Sequence, residues 1–294
     1  MRKHYDTLII GHLSLDYNID YKDNLVVELG GAVMYSSAAA YAGGNKVGVV
    51  TKLAKSDIGR LQEFVIDKED IYFVPSQKST SIRNKYFTKD KERRLCVCLS
   101  QADAFTLDDI PDVNSSIYHL AGLIYGDFDN NLIPSLANKG AIAVDVQAFL
   151  RHANGDNSTM ELQDWKEKKE LLPYITYLKT DAVEAEILTG QTDRYQAAKI
   201  LHSWGAKEIV ITHNTEVIAY DGNTMASYPI KARNLSGRSG RGDTTFASYI
   251  TERLQKNVND ALLWATATVS HKMENIGPYR GNRNTITEYI EKFY

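Results

Sequence analysis

Cysteine, proline and excess basic charge are all scarce in this chain, and each shortage excludes something. The 294 residues include only two cysteines, Cys96 and Cys98, and six prolines. Residues two apart on a strand share a face but rarely reach disulfide geometry. No cluster of histidines or further cysteines supplies partners for a two-cysteine metal half-site. The pair reads as two small strand residues in a reducing compartment. No run of about 18 apolar residues occurs, and the first apolar run, Leu8-Ile9-Ile10, is too short for a signal peptide. The expected location is the cytoplasm, with no membrane partner. Lys and Arg total 34 against 37 Asp and Glu, a net charge of -3, so no basic surplus advertises a nucleic-acid partner. What remains, 43% hydrophobic and 24% charged residues, is the composition of a globular chain long enough for one large α/β domain with an appendage.

Hydrophobic periodicity divides the chain into such a core and a small insertion. Leu8-Ile9-Ile10 and Val47–Val50 read as buried strands, and Gly30-Gly31 opens a small-residue helix from Ala32 to Ala42. Asp57-Ile58-Gly59 marks a further helix start. Strand candidates Ile117–Leu120, Ala141–Val146, Ile175–Leu178 and Glu208–Thr212 alternate with helical segments, which predicts a mostly parallel sheet with helices on both faces. The charged run Trp165–Glu170 reads as a solvated helix face. The stretch 17–29, with a turn at Lys22-Asp23-Asn24, and the stretch 79–100, with a turn at Lys89-Asp90-Lys91, look like exposed hairpins of a separate sheet. The expected division is a core of 1–16, 30–78 and 101–294 and a β lid of 17–29 and 79–100.

Two stretches carry chemistry. Gly237-Arg238-Ser239-Gly240-Arg241-Gly242-Asp243 precedes an amphipathic helix on which Phe246, Ile250 and Leu254 share a face. Glycines at a helix start let backbone N–H groups converge on an anion, and a carboxylate there can accept a proton from an attacking hydroxyl. Read locally, Asp243 is equally a helix-capping aspartate. The glycine order G-x-x-G-x-G is neither a Walker loop nor a Rossmann fingerprint. The second stretch begins Lys179-Thr180-Asp181-Ala182-Val183-Glu184. Asp181 and Glu184, three apart at a helix start, are spaced to hold a hydrated magnesium ion, and are spaced just as well for a capping box. Asp145, Gln147 and Arg151 follow a strand end, where open α/β sheets bind ligands. His12 and His213 also follow strands, although lone histidines are usually structural.

These stretches, with the Gly-Gly helix start, resemble the ribokinase-like (PfkB) carbohydrate kinases over essentially the whole chain. The resemblance implies a three-layer α/β core with a β-sheet lid, an ATP-dependent transfer to a hydroxyl of a sugar, sugar acid or cyclic polyol, and Mg2+. It implies an anion hole at Gly240, Arg241 and Gly242 with Asp243 as the base. It places Glu184 and Asp181 at the metal, through water, and Thr212 at a nucleotide loop, with Asp181, Gly240 and Gly242 beside it. Asp16, Gly30 and Gly31 match substrate-contacting positions, Tyr35 stands where many members use an asparagine, and Arg83, Gln147 and Arg151 are further substrate candidates. Lids in this family often pair between subunits, so a homodimer is expected. Four departures set the chain apart from plain ribokinases. Gly237 and Arg238 stand for the signature's opening Asp-Thr, Arg241 stands for its alanine, Asp181 stands for an asparagine, and no glycine occurs in the loop 212–217. With Gly277-Pro278-Tyr279-Arg280-Gly281, these features resemble an inositol-kinase-like branch. A nucleoside kinase, with Tyr35 stacking on a base, and a catalytically weak sugar-binding regulator are the alternatives.

Overall fold

β-branched runs dominate the strands of a nine-stranded sheet, in the order Met225–Pro229, Glu216–Tyr220, Glu208–Thr212, Tyr177–Asp181, Ala141–Asp145, Asn114–Leu120, His4–Ile10, Val47–Ala54, Ile71–Ser76. The structure is a computed structural model that describes residues 2–89 and 93–294. From Glu208–Thr212 to Ile71–Ser76 every neighbour is parallel, and the two remaining strands fold back as antiparallel hairpins. Parallel strands are apolar on both faces because helices cover both. One face buries Leu136, Leu172, Leu188 and Leu201 against the sheet, and the other buries Val33, Phe246, Ile250 and Leu262. This is the three-layer α/β architecture read from the alternation of strands and helices.

A second sheet of five strands, ordered Ser158–Thr159, Arg94–Ser100, Thr80–Tyr86, Ser14–Ile19, Leu25–Gly30, stands apart from the first. Its strands start earlier than the hairpins read from sequence, at Ser14, and a third segment, Ser158–Thr159, joins it by pairing with Cys98 and Val97. Asp90 and Lys91 of the expected turn lie outside the described residues. Leu25–Gly30 leads directly into helix Ala32–Ala42 through Gly31, whose φ of 103 only glycine adopts without strain. Ten of that helix's eleven residues are buried, because its alanines let it pack between the sheet and helix Arg241–Glu252.

Three sequence expectations are corrected. The segment after Asp57 is a 3-10 helix, Lys55–Glu63, with no buried residue to stabilise an α-helix. Trp165 is buried and stacks on Phe149 with centroids 4.4 Å apart, so the run 165–170 begins in the core and only Lys168–Leu171 is helical. The strand expected to end at Leu178 runs on to Asp181, which puts Lys179 inside the sheet rather than in a loop.

Candidate active site

The C-terminal ends of the parallel strands meet the N-terminus of helix Arg241–Glu252 and the inner face of the second sheet around a cavity of ≈ 180 Å³. Its geometry starts with Gly240, the helix N-cap, at φ 76. A Cβ there would run into the Tyr35 ring, so the close approach as well as the left-handed backbone demands glycine. Asp243 lies in the first turn beyond it, and its carbonyl accepts a 3.4 Å hydrogen bond from the Ser36 hydroxyl. Burial raises the Asp243 carboxyl above its usual range and the charge of Asp145 adds to this, while Lys179 and Arg151 work in the other direction.

Lys179 is the centre of this charge cluster. Its ammonium lies 3.0 Å from Asp145 Oδ2, 3.1 Å from Oδ1 and 3.8 Å from Glu184 Oε2. A Cβ on Gly242 would lie 3.0 Å from Lys179 Nζ, so the cation sits directly against the helix start. Burial opposes the charge, but Asp145 and Glu184 overcome it and the ammonium's pKa rises.

Asp181 and Glu184 form the reciprocal capping box: the Glu184 amide donates to Asp181 Oδ1 and the Asp181 amide to Glu184 Oε2, both at 2.8 Å. Glu184 is buried, with Arg151 at 3.8 Å, and it is turned into the protein. It was expected at a metal through water, and it lies outside the cavity lining. Its carboxylate is spent on the Asp181 amide and on the neighbouring cations, and Asp181 is the member of the pair that reaches the cavity. Among the described residues no group of three or more His, Cys, Asp or Glu is arranged as a metal site. Magnesium, however, commonly takes only one or two carboxylates together with phosphate oxygens, and Asp181 meets that requirement.

The second sheet supplies the opposite wall. Asp16 accepts a 2.7 Å hydrogen bond from the Ser14 hydroxyl, and burial pushes its carboxyl up to about 6 against the effect of that bond and of Arg94. Gly30, expected at the substrate, instead makes room for Asp16, whose carboxylate occupies the space a Cβ would take. Asn84 donates to Asn18 Oδ1 at 3.0 Å and accepts from Cys96 Sγ at 3.2 Å, and all three line the cavity. Arg83 is exposed on the outer face, because adjacent strand residues point to opposite sides.

The structure therefore brings together Asp16, Gly31, Tyr35, Gln147, Arg151, Asp181, Thr212, Gly240, Arg241, Gly242 and Asp243, and leaves Gly30, Arg83 and Glu184 outside the lining. Sequence reading missed Lys179, Asn18 and Arg94, and named Asn84 together with Arg83 as lid residues able to reach the substrate. Period-two alternation from Asp16 would have found Asn18, and a lysine inside an apolar strand was the signal for Lys179. Tyr35 is only 5% exposed, packed against Gly240. His12 is structural: it is buried, 3.2 Å from Asp127 Oδ1 and 3.1 Å from the Asp103 carbonyl, and stacked on Phe105.

Comparison with known proteins agrees with this fold. Residues 8–284 match the pfkB family carbohydrate kinase pattern. A cytidine kinase of Thermococcus kodakarensis is 27% identical over 257 residues, covering 83% of this chain and 87% of that protein. A sulfate-bound pyrophosphate-dependent kinase of the ribokinase family superposes with a TM-score of 0.87 at 32% identity, covering 96% of this chain and 99% of the other. A pyrophosphate-dependent kinase of the same family complexed with a pyrophosphate analog and myo-inositol gives 0.86 at 31%, covering 96% and 99%.

Proposed function

The chain belongs to the pfkB family of carbohydrate kinases, and from that premise we propose that it transfers a phosphoryl group from inorganic pyrophosphate to one hydroxyl of a small cyclic polyol of the myo-inositol kind. The observation that carries the reading is the placement of Asp243. A half-buried carboxylate with a raised pKa stands on a helix start, between the Lys179–Arg151 cations and the polar face of the lid.

In the proposed reaction Asp243 takes the proton of the acceptor hydroxyl. The acceptor oxygen bonds to the terminal phosphorus as the bond from that phosphorus to the bridging oxygen breaks, and inorganic phosphate leaves. Charge on the transferring group is met by preorganised donors. The Arg241 amide is already bonded to the Arg238 carbonyl at 3.3 Å, so the role falls to the Gly240 and Gly242 amides. Asp181 is the carboxylate that would hold a hydrated magnesium ion against the donor, where the ion would neutralise phosphate charge. Asp16, Asn18 and Asn84 bind the acceptor's hydroxyls.

Two features favour pyrophosphate over ATP, the donor expected from sequence. Pyrophosphate offers neither base nor ribose, so its binding rests on charge, and Arg238 and Arg241 add two cations to the lining where the family signature has uncharged residues. The turn after Thr212 closes tightly, with the His213 amide donating to the Glu216 carbonyl at 3.0 Å and no glycine to admit a nucleotide closely. The cavity, at ≈ 180 Å³, is smaller than the ~300–1,000 Å³ of drug-sized pockets and suits a single ring. A homodimer is part of the same proposal, supported by Leu25, Val26 and Val27, exposed on the edge strand of the lid.

The cytidine kinase likeness favours a second reading, a nucleoside kinase. Tyr35 gives it little support, since its ring is packed into the protein rather than open for stacking. Phosphorus NMR of product formation, with pyrophosphate or ATP crossed against myo-inositol, ribose, cytidine and adenosine, tests both. Turnover of myo-inositol with pyrophosphate is expected. Turnover of cytidine with ATP alone would replace the proposal with the nucleoside kinase.

A further inference from the structure

Lys272, the last residue of helix Val258–Lys272, takes no part in the steps above, yet it is one of the most deeply buried charges in the protein, 2% exposed. Its ammonium donates to the Gly237 carbonyl at 2.6 Å and to the Ser239 carbonyl, and it lies 4.9 Å from the centroid of the Tyr35 ring. These carbonyls belong to the loop that ends at Gly240. That loop is also tied to the end of the same helix, since the Gly237 amide donates to the Met273 carbonyl at 2.8 Å. A Cβ on Gly237 would overlap the Asn275 carbonyl, so the loop backbone passes directly against that carbonyl.

A trans peptide unit is planar, with its C=O and N–H pointing in opposite directions. The Ser239 carbonyl and the Gly240 amide belong to one such unit. Drawing the carbonyl oxygen toward Lys272 therefore aims the Gly240 N–H the other way.

We propose that Lys272 is a positioning residue for phosphoryl transfer: a cation built into the chain that gathers the Gly237 and Ser239 carbonyls and so orients the amides of the anion hole. The inference rests on the kinase reading of that loop. An ammonium suits the task because it is a compact point charge with three donors. The groups facing it are Asp243 from helix Arg241–Glu252, Glu28 from the lid and Tyr35 from helix Ala32–Ala42. Burial lowers the pKa of Lys272 to about 8, with Asp243 and Glu28 acting in the opposite direction. The ammonium is thus present at neutral pH and is lost as the pH rises through about 8, releasing the carbonyls.

Removing the side chain leaves two carbonyl oxygens converging on a void the size of an ammonium ion, which a small cation from solution can refill. The experiment compares wild type with Lys272→Ala and Lys272→Arg. It measures kcat and acceptor KM on whichever donor–acceptor pair the wild type turns over, and pyrophosphate binding by calorimetry. Lys272→Ala should lower kcat and weaken pyrophosphate binding about tenfold or more, up to the ~10²–10³ that outright loss of a preorganised donor costs in rate, with acceptor KM nearly unchanged. Ammonium or ethylammonium chloride should restore activity saturably, and tetramethylammonium chloride at equal ionic strength should not. Lys272→Arg should move the alkaline limb of the kcat profile up by at least about one pH unit, because a guanidinium stays charged. A folded Lys272→Ala protein with wild-type kcat and pyrophosphate affinity would overturn the proposal, and so would one whose losses no small ammonium restores. If Lys272→Ala does not fold, an unshifted alkaline limb in Lys272→Arg overturns it instead. Absence of wild-type turnover on every pair would count against the kinase reading alone, since the calorimetric comparison still tests Lys272.

Discussion

Replacing Asp16 with asparagine should make the protein more stable and a poorer enzyme, and the two effects should separate with pH. The Asp16 carboxyl is held at about 6 against an ordinary 3.8, chiefly by burial. The folded protein therefore keeps this proton until about pH 6, whereas the unfolded chain releases it near 3.8. Between those values the folded state binds more protons, so stability falls as the pH rises, and the whole penalty is present above about pH 6. At ~1.36 kcal/mol per pH unit the gap amounts to about 3 kcal/mol. Asparagine keeps an oxygen for the Ser14 hydroxyl but loses the attraction of Arg94, so about 1–3 kcal/mol of stabilisation is expected at pH 8 and little below pH 4. At about 2–4 °C per kcal/mol, calorimetry at the two pH values reads this directly. Acceptor KM should rise, because a carboxylate that accepts two hydroxyls becomes an amide that accepts at only one atom. A melting temperature that does not increase at pH 8, or that changes equally at both pH values, would refute the claim that the fold bears the cost of an ionised Asp16.

Other perturbations separate the roles of the remaining groups. Asp243→Asn should lower kcat by ~10²–10⁴ with donor binding retained, and the acid limb of the wild-type kcat profile should lie above the ordinary carboxylate range, because burial raises this carboxyl. Lys179→Met should cost ~3–5 kcal/mol in urea unfolding, since it leaves Asp145 and Glu184 buried without their shared cation. Asn84→Leu should weaken acceptor binding by ~1–3 kcal/mol, measured as acceptor KM, whereas Arg83→Ala on the outer face of the same strand should leave it unchanged.

The parts of the site that were legible in the sequence are those whose chemistry is local. Gly240 to Asp243 announce a helix start because a glycine-rich stretch precedes an amphipathic run, and that is where they lie. Gly30-Gly31 announced a break before a helix of small residues, and the helix begins at Ala32. Contacts that depend on parity or distance were hidden. Arg83 and Asn84 are equally polar, and only the pairing of Asn84 with Cys96 across the sheet decides which one faces inward. The partners of Lys179 lie 34 residues away at Asp145 and on the next helix at Glu184, so nothing in its neighbourhood explains a charge inside a buried strand. Ser158–Thr159 is too short to show any alternation, and its strand exists because Arg94–Ser100 offers it an edge. Trp165 was hidden by the charges that follow it, while its stacking partner, Phe149, comes from another segment.

The two walls of the cavity also divide the proposed work between two separate sheets. On the proposed reading, phosphoryl chemistry sits in the core, where Lys179 is paired with buried Asp145 and a Cβ on Gly240 would meet Tyr35. On the same reading, acceptor recognition lies in one row of the small sheet, at Asp16, Asn18, Asn84 and Cys96, with Asn84 bonded to both Asn18 and Cys96. Residues in that row can drift to new polar patterns without touching the core. Substrate preference is then open to change at alternate positions of a few short strands, with the core that carries the proposed reaction left intact.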